Sequence, residues 1–300
     1  MLQTQLLKKM KTRIFRQPVI EDEFITEKTQ KKYLQEYTEQ DENGNILLQI
    51  EYLPDGTIEQ KTERVFQNNK LIKERILGLE DELIEDKRWE YDENGKLISE
   101  KQYYLDGTHD TTLIRYDEEG RIIEKRTVDE NGEEEEKERL TFINGKLVKQ
   151  TLIDSSGNIE SDVEIHYDEE GRMILQKSIN MEGEEESLTL EYDASGRIYR
   201  QITRNAQDKV IERNTYTYGE HHLPIQIHEE SRVKNNTAKI SYNSNNQVIK
   251  HEVFDLADTL INSVTRNYDE KGRIISSEIL IHLPERRIRE HYRLIYQYEE

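Results

Sequence analysis

Cysteine is absent from this chain, which rules out a disulfide framework, a thiolate nucleophile and any cysteine-ligated metal. The absence mildly favours a reducing compartment. Proline is scarce, at positions 18, 54, 224 and 284, so long stretches can donate every backbone N–H to a ladder. No run approaches the ~18 apolar residues of a spanning helix. The first residues carry Lys8, Lys9, Lys11, Arg13 and Arg16 but lack the apolar core of a secretory leader. These absences predict a cytoplasmic protein without membrane insertion. Basic residues are outnumbered, 43 Lys and Arg against 63 Asp and Glu, for a formal charge of -20. A surface of that sign repels phosphate, so nucleic acid is not an expected direct partner.

Apolar residues are also few, at 33%, which with the charge approaches the composition of disordered chains. Seventeen tyrosines at patterned places argue against disorder. Tyr116-Asp117-Glu118-Glu119-Gly120-Arg121-Ile122-Ile123 recurs along most of the chain, and fixed-period similarity takes precedence over local readings. Its copies start at Tyr91, Phe142, Tyr167, Tyr192, Tyr242 and Tyr268, and the turn glycines are Gly95, Gly120, Gly145, Gly171, Gly196 and Gly272. The first five of these glycines recur at an almost constant interval. A looser turn sits about halfway through each unit, at Gly107, Gly132, Gly157 and Gly183. Glycine enters the left-handed region at little cost, and Asp or Asn nearby bonds to local backbone, the chemistry of a hairpin connection. Each unit therefore reads as strand, turn, strand, turn.

The predicted fold is all-β: an elongated repeat array of antiparallel hairpins, roughly 25 residues per two-strand unit, in a twisted or curled sheet. Residues 1–36 read as an atypical N-terminal cap, with a short helical turn conceivable over Leu2–Met10. Residues 37–300 read as one continuous repeat domain, degenerate over 206–262, with a closing edge strand at 288–299 whose charges discourage another chain from adding on. Ile76–Asp86 leaves two options open, a helical insertion or a hairpin. Steps of two back from the aromatics, as in Trp89-Tyr91, Ile114-Tyr116 and Leu140-Phe142, put one set of apolar side chains on one face. The pairs after each glycine, such as Ile122-Ile123 and Met173-Ile174, point to opposite faces; either both faces are covered there or one member is exposed.

The Tyr-Asp-x-x-Gly-Arg-Ile/Leu motif resembles the YD repeats of Rhs-type and teneurin-like proteins, and more weakly the MORN-type repeats. The resemblance implies β-sheet shells or scaffolds. The usual YD unit is shorter, and neither a toxin domain nor a self-cleaving region follows the array.

Catalytic signals are weak. His221-His222 with His228 is the one histidine cluster, and solvent-facing histidines explain it better than Zn²⁺. Asp41-Glu42-Asn43-Gly44 and Asp129-Glu130-Asn131-Gly132 lack the alternating ligands of a Ca²⁺ loop. The chain is expected to be no enzyme and to hold no cofactor or metal. Glu133, Glu134, Glu135 and Glu136 are the candidate partner surface. The function expected is a non-catalytic interaction or scaffold module presenting an acidic surface to a basic protein. The alternative is an immunity protein or antitoxin that occludes a basic toxin, a nuclease among the candidates.

Overall fold

The structure, a computed structural model, describes residues 10–19, 31–179, 182–283 and 288–299. Over these the chain forms 22 strands of a single sheet. They are β1 (Met10–Pro18), β2 (Tyr33–Gln40), β3 (Ile46–Tyr52), β4 (Ile58–Gln67), β5 (Lys70–Leu77), β6 (Leu83–Tyr91), β7 (Leu97–Tyr103), β8 (His109–Tyr116), β9 (Ile122–Val128), β10 (Glu134–Ile143) and β11 (Lys146–Asp154). There follow β12 (Ile159–Tyr167), β13 (Met173–Ile179), β14 (Glu185–Tyr192), β15 (Ile198–Asn205), β16 (Val210–Tyr218), β17 (Pro224–Ser231), β18 (Asn235–Tyr242), β19 (Val248–Phe254), β20 (Leu260–Tyr268), β21 (Ile274–Leu283) and β22 (Ile288–Glu299). Each strand pairs antiparallel with the next in sequence, as in Trp89 opposite Glu100 and Leu190 opposite Gln201.

The last pairing closes the sheet. Strand β1 lies antiparallel between β2 and β22, with Lys11 opposite Glu299 and Pro18 opposite Tyr292. The all-β class stands, but the elongated open array does not, because the molecule is one closed up-and-down barrel. Both ends of the chain meet in this seam. Residues 10–18, assigned to the cap, form a full strand of the wall. The 288–299 segment is no free edge, because its charges find partners across the seam: Arg13 pairs with Glu299, and Arg16 with Glu290 at 2.9 Å. The Leu2–Met10 turn falls, but for Met10, outside the described residues. Over Ile76–Asp86 the chain makes a hairpin, its connection a single 3-10 turn at Leu79–Asp81.

The wall is one layer thick. Among the described residues only Leu77, Leu190, Ile202 and Ala238 are buried apolar residues, and none of the largest side chains is wholly covered. The accessible surface, 20351 Å², compares with roughly 13,000 Å² for a compact monomer of this mass. Packed opposite walls would bury alternate residues along every strand, so the barrel is hollow. With strands ~4.8 Å apart, 22 of them make a ring roughly 34 Å across before tilt widens it.

Period-two alternation gives the wall two chemically distinct faces. Trp89, Tyr91, Ile114, Tyr116, Leu140 and Phe142 share one face and are half-buried, whereas Arg88, Glu90, Leu113, Arg115, Arg139 and Thr141 on the other are exposed. Closing a sheet crowds side chains on the concave face and spreads those on the convex face. On this crowding over β6 to β10 we assign the aromatic face as the inner one. After the turn glycines the two options each occur: Ile98, Ile174 and Ile275 are exposed beside half-buried Leu97, Met173 and Ile274, whereas both members of Ile122-Ile123 and of Leu147-Val148 are half-buried.

Candidate functional site

The turns after even-numbered strands all lie at one rim, those after odd-numbered strands at the other. At the first rim the repeated motif builds a continuous device. Gly95, Gly120, Gly145, Gly171, Gly196 and Gly272 sit at φ between 76° and 83°, where a Cβ is strained. Outside the tighter Asn144-Gly145 turn, the glycine N–H donates to the carbonyl at the start of the turn, as Gly120 does to Asp117 at 3.1 Å. That Asp also receives the backbone N–H and the side chain of the following cation: Arg197 donates to Asp193 from N at 3.0 Å and from Nε at 2.7 Å. The side-chain bond, then the backbone one, holds the Asp193 carboxyl below the usual range. For Asp269 the order is reversed, with the Arg273 backbone N–H first.

The aromatics join neighbouring strands. Tyr91 donates its hydroxyl to the Leu71 carbonyl at 2.9 Å, Tyr116 to Leu97 at 2.8 Å, Tyr167 to Leu147 at 2.8 Å and Tyr192 to Met173 at 2.6 Å. Tyr242 and Tyr268 do the same to Pro224 and Val248, both at 2.8 Å. Phe142, which has no hydroxyl, keeps the ring and lacks the bond. A cation from the previous turn covers most of these rings: Lys96 over Tyr116 at 5.0 Å, Arg121 over Phe142 at 4.8 Å and Arg172 over Tyr192 at 4.7 Å. Burial raises the pKa of Tyr192 and Tyr242.

Tyr218, an approximate copy of the repeat aromatic in the sequence, and Tyr298 in the last strand make the same bond, to Ile198 at 2.6 Å and Ile274 at 2.8 Å. The sequence motif contained the cation directly after the glycine without showing its role. Its signal was there to read, in Lys96, Arg121, Lys146, Arg172, Arg197 and Arg273.

Along the inner wall, chemistry changes from one rim to the other. Strand β14 runs Glu186, Leu188, Leu190, Tyr192 on its inner face; β16 runs Glu212, Asn214, Tyr216, Tyr218; and β10 runs Glu136, Glu138, Leu140, Phe142. On these three strands acids and amides occupy the far end and apolar groups the motif end, and Lys125 pairs with Glu138 at 2.7 Å on the same face. The glutamate run divides accordingly. Glu133 lies in the β9–β10 turn, Glu134 pairs with Lys137 at 2.6 Å, Glu135 is exposed at the bulge in the β9–β10 pairing, and Glu136 stands on the inner face opposite Thr127 and Asp154. The histidines separate too. His221 and His222 sit in a left-handed turn at the motif rim, and His228 contacts Thr237 at 3.0 Å on β17. Among the described residues no group of three or more His, Asp or Glu is arranged to hold a metal.

A family described as "Uncharacterised protein" matches residues 74–163. No curated protein matches the chain. Among solved structures, a porin-like protein from Bacteroides uniformis ATCC 8492 is 11% identical, with 98% of each chain covered and a TM-score of 0.31. One from Bacteroides vulgatus ATCC 8482 is 10% identical over 86% of this chain and 98% of that one, at 0.24. The structure of TcdB2-TccC3 without its hypervariable C-terminal region is 11% identical, covering 91% of this chain but 19% of the other, at 0.38.

Closure of the barrel overturns several expectations. The elongated hairpin array on which the YD and MORN resemblances rested is replaced by one closed barrel, sealed by the pairing of β1 with β22. The scaffold and antitoxin readings required one long acidic sheet surface. The acids are instead split among rims, inner wall and outer ion pairs. The cytoplasmic assignment loses its premise. No helix among the described residues is long and apolar enough to cross a membrane, and that says nothing of a barrel, which crosses with strands.

Proposed function

We propose that the chain is a non-catalytic hollow receptor whose lumen takes a cationic, partly apolar polypeptide segment. The observation that carries this reading is the inner-wall gradient, acidic at one end and aromatic at the other. After allowance for side chains, a ring roughly 34 Å across leaves space for a helix of ~10–12 Å diameter. The acids draw in the positive part, and the aromatic belt covers the apolar part. The outer face argues against a lipid-embedded pore. Arg88, Arg115, Arg139, Lys149, Arg200 and Arg213 all point outward within strands, and each such charge costs roughly 2–4 kcal/mol at a bilayer midplane.

The test is fluorescence anisotropy with a labelled amphipathic Lys/Leu peptide. Saturable binding that weakens about tenfold in the Glu136→Gln/Glu186→Gln/Glu212→Gln variant, and not in the outer-face Glu164→Gln/Glu252→Gln variant, is expected. Equal weakening by both sets would mean diffuse attraction to an acidic protein and would overturn the lumen reading.

A further inference from the structure

A periodic wall makes departures from the period informative. At the position just before the repeat aromatic, successive copies carry Glu90, Arg115, Thr141, His166, Glu191 and Thr217. Two residues earlier they carry Arg88, Leu113, Arg139, Glu164, Thr189 and Thr215. Across β8, β9 and β10 the register sets Arg115, Glu124 and Arg139 in one row on the outer face. The next row has Arg126 directly opposite Lys137. Like charges placed opposite each other destabilise a sheet. Four cations therefore share two carboxylates, Arg115 and Arg139 with Glu124 and Arg126 and Lys137 with Glu134, on a protein whose formal charge is -20.

The arginines are loosely held. Arg115 stands 3.5 Å and Arg139 3.7 Å from the same Glu124 oxygen, and Arg126 is 4.0 Å from Glu134. Their side chains are 65%, 58% and 46% exposed, where ion pairs contribute little and leave the guanidinium available. Arg115, Arg139, Glu124 and Thr141 line a cleft of about 350 Å³ together with Ile123, Leu140, Phe142 and the turn residues Asp117 and Arg121. Arg121 is committed to Asp117 at 2.6 Å, so Arg115 and Arg139 are the groups able to turn toward a ligand. Guanidinium forks match tetrahedral oxyanions, and two forks that converge on one Glu124 oxygen, at 3.5 and 3.7 Å, can share the oxygens of two linked groups.

We propose that the outer cleft between β8 and β10 binds a diphosphate-type oxyanion, with Arg115 and Arg139 as its ligands and Glu124 as a resident competitor. This site lies outside the lumen and is independent of the receptor reading. Titration calorimetry of the full chain with inorganic pyrophosphate at low salt tests it. One saturable site is expected, weakened about tenfold by Arg115→Gln or Arg139→Gln, unchanged by Arg200→Gln, and tightened severalfold by Glu124→Gln. Tightening is the discriminating sign, because a merely structural ion-pair cluster would loosen when Glu124 is neutralised. Absence of saturable binding, equal loss in Arg200→Gln, or no gain in Glu124→Gln overturns the site; a thermal melt of each variant separates lost binding from lost folding. Flotation with vesicles bearing a diphosphate-headed lipid distinguishes the source. Co-flotation that depends on Arg139 assigns a lipid headgroup, and pyrophosphate binding without co-flotation assigns a free diphosphate.

Discussion

The two rims of the barrel use the same turn and differ in what surrounds it. At both, an N–H and a carbonyl close a loop around a left-handed glycine: Gly120 donates to Asp117 at one rim, Gly107 to Tyr104 at the other. At the motif rim the turn is also tied to its neighbours, by the tyrosine hydroxyl on the previous strand and the cation on the next ring. The opposite rim shows no such series among the described residues. Its turns carry exposed apolar residues, Leu105, Val233 and Leu256. Local turn chemistry sets where strands reverse, and only the inter-unit ties turn separate reversals into a rigid ring.

The largest expected difference lies in the aromatics. Tyr167→Ala at the motif rim removes a half-buried ring, its bond to Leu147 and the seat of Lys146. The expected loss is roughly 2–3 kcal/mol, below the range for fully buried aromatics. Tyr104→Ala at the opposite rim, where the ring is 43% exposed, should stay within ~0.5 kcal/mol. Denaturant melts that give the two variants the same cost would remove the distinction between the rims.

The glycines sharpen the comparison by predicting equality. Gly120→Ala and Gly107→Ala both force a Cβ into φ above 80°. Each should cost roughly 1–2 kcal/mol, since the penalty is local to the turn. A much larger loss for Gly120 in the same melts would mean that its turn is held by the belt against relaxation.

Turns and strand period were legible because both are written locally. Asp-x-x-Gly fixes the reversal, and alternation fixes which side chains share a face. Closure was not legible because it depends on Met10–Pro18 meeting Ile288–Glu299, segments that carry no copy of the motif. The charges there looked like protection of a free edge and are instead the two halves of the seam. The belt was half legible: Tyr116 and Gly120 stood out, while the role of Lys96 depends on one turn lying beside the aromatic of the next unit. The Arg115–Arg139 row was hidden for the same reason, since only the register brings these two residues into line across β9.

The smallest effect concerns the acidic end of the inner wall, where like charges replace the ties of the motif rim. Glu36 lies directly opposite Glu51, and burial first, then the Glu51 charge, raises the Glu36 pKa. A carboxyl with a raised folded pKa is penalised in its charged form, so the penalty is present above that pKa and fades as pH falls through it toward the unfolded value. Glu36→Gln should therefore stabilise the barrel at neutral pH, by roughly 0.2–1 kcal/mol as for a relieved cross-strand repulsion. The gain should shrink toward zero in melts at acid pH, where wild-type Glu36 is already protonated. A gain that is independent of pH would assign the effect to packing, and the acidic end would then carry no electrostatic strain for a cationic guest to relieve.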